Sequence, residues 1–158
     1  IIERSSPFAQ FSMRKANVTV TLDRGYQRGL HPVQAALLAG IIPLFLGATL
    51  SDIAYSSSYQ VQWTNFASWL NAGGLVFGGL ALLFAVVDLF RTDRGGHRRV
   101  YTLLLLATWI LGFINALIHA KDAWASMPSG LILSGIVTVL ACTATWVGFS
   151  GLRTGGAR

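Results

Sequence analysis

The chain has 158 residues, of which 53% are hydrophobic and only 11% charged, and its mean hydropathy is +0.56. That charged fraction is less than half the roughly 25% usual in soluble domains, so a water-soluble globule is excluded. The formal net charge of +6 does not mark a nucleic-acid binder, because the basic residues flank apolar runs and form no basic domain of their own.

The first residues are Ile1-Ile2-Glu3, which suggests missing upstream residues or processing, and the first thirty residues hold no pattern of a cleaved secretory leader. Residues 1–30 read as a cytoplasmic arm. Asn17 to Leu22 alternate like a short strand, and Phe8, Phe11 and Met13 beside Arg14 and Lys15 suit a membrane surface. Beyond the arm there is no Asp, Glu, Lys or Arg from Gly29 to Ser51, Ile53 to Val87, Val100 to Ala120 or Ala123 to Leu152. A crossing helix needs about 20 mostly apolar residues. Spans are therefore predicted near 33–52, 66–90, 100–120 and 129–150, followed by a short tail, 154–158, and the fold class is all-α: an integral membrane four-helix bundle. Tyr55 to Asn65 is polar but uncharged and reads as a surface loop, with Tyr55, Tyr59, Trp63 and Trp69 as an interfacial aromatic belt.

Orientation follows from the 12 basic residues: all except Lys121 fall on the side that holds both termini and the link between the second and third spans. The positive-inside rule places that side, and both termini, in the cytoplasm. Anionic lipid headgroups are the expected partners of these charges.

Polar groups at span ends are the candidate sites, since ionisable groups are costly in lipid. His31, Asp88 and His97 fall at cytoplasmic ends, with His97 in a loop; Asp52, His119 and Asp122 fall at periplasmic ends. His31 and Asp88 mark the same ends of consecutive helices and are expected to hydrogen-bond. Asn115, His119 and Asp122 are spaced by four and three, so they share one face of the third helix. With Trp124 nearby, that face could hold a quinone, which needs a proton-exchanging group beside an apolar slot. The same residues could equally be solvated helix-end groups with Trp124 as an interfacial anchor.

Other chemistries find little support. His31 and His119 end helices that run in the same direction and so lie at opposite faces, roughly 25–30 Å apart, too far to ligate one haem iron. No metal site, no catalytic residue and no intrinsic cofactor is expected; a quinone or lipid is the ligand this chemistry would take. The sequence lacks a phosphate-binding loop and a nucleophile elbow. Cys142 reads as a small packing residue, and the pairs Gly47/Ser51, Gly74/Gly78 and Gly130/Ser134 as close-approach positions of ordinary bundle packing.

Leu30-His31-Pro32 opening the first span, Asp52 closing it, a Gly-rich second span ending in Val87-Asp88, the segment from Asn115 through His119 and Asp122 to Trp124, and Gly130-Leu-Ile-Leu-Ser134 resemble the four-helix "predicted membrane protein" family, domain of unknown function 2231. The resemblance spans roughly residues 30–153. Many members have a second histidine soon after the His-Pro pair, where this chain has Val33-Gln34-Ala35-Ala36. The resemblance implies an inner-membrane protein, and some members are similar to membrane companions of periplasmic quinoprotein dehydrogenases. The expected function is a small non-enzymatic subunit that anchors a membrane redox assembly, contacts other protein subunits and contributes to a quinone pocket near His119. The alternative is a homo-oligomeric channel or transporter with a polar seam of Asn115, Ser134, Thr138 and Thr145.

Overall fold

A computed structural model describes residues 31–91, 96–121 and 123–154, with side chains described except at 123, 124 and 151–154. The expectations for the arm (1–30) and for the tail after Thr154 lie outside these residues. The described chain forms α1 (Pro32–Ser58), α2 (Val61–Arg91), α3 (Gly96–His119), the short α4 (Ala123–Ser126) and α5 (Ser129–Thr154). Among the described residues there is no strand, and α1, α2, α3 and α5 are each long and apolar enough to span a membrane.

The helices overrun the predicted spans for local reasons. The hydroxyls of Ser56, Ser57 and Ser58 donate back to the carbonyls of Ile53 and Ala54, so α1 continues through Ser58. The expected surface loop from Tyr55 to Asn65 shrinks to Tyr59 and Gln60. Tyr59 ends α1 in the left-handed conformation, φ 56°, with its N–H on the Tyr55 carbonyl at 2.8 Å. At the other end of the bundle, α3 starts a turn early, and His97 lies in its first turn, not in a loop. The His97 Nε2 contacts the Val147 carbonyl of α5 at 3.0 Å, which ties the start of α3 to its neighbour.

Helix α1 begins with Pro32 at N1, whose fixed φ suits a first turn, and His31 as the cap. Its Nδ1 accepts from the Val33 N–H at 3.3 Å, satisfying one donor that the helix leaves free. Replacing this cap, His31→Ala, is expected to lower stability by about 0.5–1 kcal/mol in thermal melts of the detergent-purified protein, whereas His31→Ser holds it. Equal melting of the two variants would show that the cap contributes nothing.

Each long helix packs on two others, α1 on α2, α2 on α3, α3 on α5 and α5 on α1, so the bundle closes in a ring. Outward faces are apolar: Trp69 and Trp146 are 77% and 75% exposed. Many inward positions are small or polar, as suits helices that approach closely in lipid, while Leu38, Ile41, Phe45 and Leu105 fill the interior between them. Gly74 and Gly112 receive the ring of Phe45, and Gly148 receives Tyr101. Two expectations about faces are corrected. Tyr55 is buried against the bundle while Tyr59 and Trp69 are exposed, because α1 is still helical there and turns Tyr55 inward. Cys142 is exposed on the outer face of α5 and is not a core packing residue.

The interior has two unlike halves. Leu38, Ile41, Phe45, Ala81, Ala85, Tyr101 and Leu105 build an apolar core in the half nearer the α2–α3 link. Asp52, Asn71, Asn115, His119 and Ser134 occupy the other half, and all five are buried.

Candidate functional site

The polar half converges on Asp52. It is fully buried, nearly two turns before the end of α1, in a stretch whose neighbours Ser51 and Tyr55 also face inward. The His119 Nε2 lies 2.8 Å from Asp52 Oδ1, and the Ser134 hydroxyl donates to Asp52 Oδ2 at 2.5 Å. Asn115 Nδ2 donates to Ser134 Oγ at 2.8 Å, and His119 Nδ1 faces the Asn115 carbonyl at 2.9 Å. Three helices, α1, α3 and α5, therefore meet in one network.

Local sequence explains the convergence. Asn115 and His119 lie one turn apart on α3, so both face α5 and α1. Gly130 permits the approach of α5: a Cβ there would lie 3.0 Å from His119 Cε1. Ser134, one turn further along α5, is thereby brought under the carboxylate.

The hydrogen positions follow from what each group can do. A carbonyl only accepts, so His119 Nδ1 carries a hydrogen. Ser134 accepts from the Asn115 amide and donates its own hydrogen to Asp52 Oδ2. One further proton occupies the short contact between His119 Nε2 and Asp52 Oδ1. The pair is thus net neutral, either as imidazolium and carboxylate or as imidazole and carboxylic acid, and neither ion is left uncompensated in a dry interior. Ser134 bonds the carboxylate and not the imidazole, so it is not arranged as a base-activated nucleophile.

Of the predicted residues, Asn115 and His119 come together here. Asp122 lies outside the described residues, as does the side chain of Trp124, which belongs to α4. Asp52 and Ser134 were absent from the predicted site. The available signal was Asp52 as an acidic residue at the same membrane face as His119, with Ser134 one turn from a glycine. The expected pair of His31 and Asp88 is not formed. The His31 ring caps α1 and stacks with Phe84, a turn short of Asp88, and Asp88 instead faces Arg98 at 3.5 Å across the α2–α3 link. The ion pair is half-exposed and contributes little.

One turn beyond Asp52, a cavity of about 290 Å³ is lined by Tyr55, Ser56, Tyr59, Met127 and Pro128. Among the described residues no group of three or more His, Cys, Asp or Glu could hold a metal ion. Asn115, Ser134, Thr138 and Thr145, the residues of the proposed inter-copy seam, are all buried within a single bundle.

A family model described as "Predicted membrane protein (DUF2231)" matches residues 29–152. No curated protein and no solved structure matches the chain.

Proposed function

We propose, for a chain that belongs to the predicted membrane protein family DUF2231, a role as a non-enzymatic subunit of a membrane redox assembly. In this reading the Asp52–His119 pair exchanges a proton with a quinone seated in the cavity at Tyr55. The observation that carries it is the 2.8 Å contact between two buried ionisable side chains, Asp52 and His119, one turn from that cavity. Quinone reduction consumes protons along with electrons, so a site needs a proton store that lipid and bulk water do not short-circuit. Both His119 nitrogens are already engaged, so the quinone stands at Tyr55 and Ser56, and the pair supplies its proton from behind.

The arginine-rich face, with Arg91, Arg98 and Arg99, is cytoplasmic by the positive-inside rule, and the site then faces the periplasm. In this reading electrons come from partner subunits on that side.

The test is extraction from the native membrane in mild detergent, followed by mass analysis of partners, quinone extraction and quinone-dependent electron transfer. Wild type is expected to carry a redox partner, and Asp52→Asn to retain the partner while losing about a hundredfold in transfer rate. Ser56→Trp, which fills the cavity from its exposed rim, gives the same loss. A chain that purifies alone, without partner or quinone, refutes the reading.

A further inference from the structure

Among the described residues five buried side-chain polar atoms have no hydrogen-bond partner: Arg98 Nη1, which faces Asp88 at 3.5 Å, and Thr64 Oγ1, Asn71 Oδ1, Asn115 Oδ1 and Thr145 Oγ1. Thr145 is the most telling. Thr49, Thr102, Thr108 and Thr143 all donate to the carbonyl four residues earlier, the usual refuge of a threonine in an apolar helix. Thr145 is 5% exposed and makes no such bond, so its hydroxyl is held toward the bundle interior with nothing to meet. The Asn115 oxygen cannot be relieved by turning the amide over, because Ser134 commits its hydrogen to Asp52 and needs the amide as donor.

These groups are not scattered. Asn115 bonds Ser134, and Tyr101 lies against Gly148, which fixes the antiparallel register of α3 and α5. Thr108, midway between Asn115 and Tyr101, then stands opposite Ala141, midway between Ser134 and Gly148. By that register the buried residues Thr138, Thr108, Thr145 and Tyr101 follow Ser134 at successive depths, each about three or four residues, roughly 4.5–6 Å of axial rise, beyond the last, with the Thr138 hydroxyl also meeting that of Thr49 at 2.9 Å. No direct hydrogen bond joins successive members, and an axial step of that size is within reach of two bonds of about 2.8 Å through one water. At the far end Gln34 donates to the Tyr101 hydroxyl at 3.2 Å, which leaves the phenol's own proton for the next acceptor. At the near end Ser134 donates to Asp52.

We propose that this file, hydrated by single waters between successive hydroxyls, is a proton path running from the arginine-rich face at Tyr101 to the Asp52–His119 pair and out through the cavity at Tyr55. It rests on the reading of that pair as a proton store and adds the route that fills it. Each step moves only a proton: a hydroxyl or water accepts one from its neighbour and passes its own forward, so no bond other than O–H forms or breaks.

The experiment uses the full chain in liposomes loaded with a pH-sensitive dye, with a potassium diffusion potential as driving force and neither quinone nor partner present. Wild-type vesicles are expected to change internal pH faster than protein-free vesicles. Thr145→Val, which keeps the volume and removes a hydroxyl with no intramolecular bond, slows the flux about tenfold, the scale of one lost hydrogen-bonding step, while the thermal midpoint is unchanged. Thr145→Ser restores it. Wild-type flux equal to that of empty vesicles, or a Thr145→Val flux equal to wild type, overturns the proposal. Because no quinone is present, a negative result here leaves quinone-dependent transfer in the native assembly to stand or fall separately.

Discussion

Asp52→Val is expected to lower the stability of the purified protein by about 3–5 kcal/mol, because it strips one member from a buried pair and leaves the other without its counter-charge. The His119 Nε2 and the Ser134 hydroxyl both lose their partner at once. His119→Leu should be comparably damaging, since Asp52 then retains only the Ser134 donor. The double variant Asp52→Val/His119→Leu is expected to melt above either single variant: a pair replaced by apolar groups of similar volume costs little, and Ser134 can turn back to its own helix. Asp52→Asn is the sharper control. Its amide can donate to His119 Nε2 and its oxygen accept from Ser134, so both bonds survive and stability stays within about 1 kcal/mol of wild type. The exchangeable proton is gone all the same. Circular-dichroism melts in one detergent measure all four variants, and a single Asp52→Val as stable as wild type would show that the pair is not what holds α1 to α3.

The second large effect is at the Phe45 wedge. The ring is buried between α2 and α3, and a Cβ at Gly74 would come within 2.8 Å of Cε1 and of Cζ. On α3 a Cβ built at Gly112 would lie 3.4 Å from the same ring atoms, so the ring has little spare room between the two helices. Gly74→Ala is therefore expected to cost about 1–3 kcal/mol despite alanine's better helix propensity. Adding Phe45→Leu should recover part of that loss, giving a double-mutant coupling of about 1 kcal/mol. Gly135 provides the contrast. Nothing lies within 4 Å of a Cβ built there, so Gly135→Ala gains propensity without a clash and raises the melting temperature. If Gly74→Ala and Gly135→Ala shift the midpoint equally, the wedge is not a close-packed contact.

The four spans were legible in the sequence because charge is the strongest signal a membrane chain carries. Long uncharged stretches have few other uses, and Asp88 and Arg91 punctuate them as ordinary helix ends. Lengths and faces were less legible. Ser56, Ser57 and Ser58 read as a loop by composition, yet their hydroxyls can serve the helix as readily as leave it, and only the backbone decides. Which face of a uniformly apolar helix turns inward is not written in hydrophobicity either, so Tyr55, read as part of an interfacial belt, turns into the bundle, and Cys142, read as a small packing residue, lies on the outer face. At the site, the helical spacing of Asn115 and His119 was enough to place them on one face. Their partners Asp52 and Ser134 are distant in sequence and come from two other helices. The register that joins them is set by glycines such as Gly130, whose role appears only when a neighbour's side chain occupies the space. The pairing of His31 with Asp88 failed for a related reason: sharing a membrane face does not put two groups at one depth, and Arg98 was a nearer claimant.

The link between α1 and α2 bears on how the protein enters its membrane. Only Tyr59 and Gln60 separate two helices of 27 and 31 residues, and neither link residue carries a charge. During biogenesis the hairpin has no hydrophilic domain to export, so the two segments can partition from the translocation machinery into lipid together, as one helical hairpin. Asp52 enters the membrane in the same event. It is the one formal charge between Gly29 and Val87, and His119, synthesised much later, arrives only with α3. The nascent hairpin therefore holds an acidic residue whose partner is supplied only by α3, so the Asp52–His119 pair can close only once the second half of the chain has been inserted.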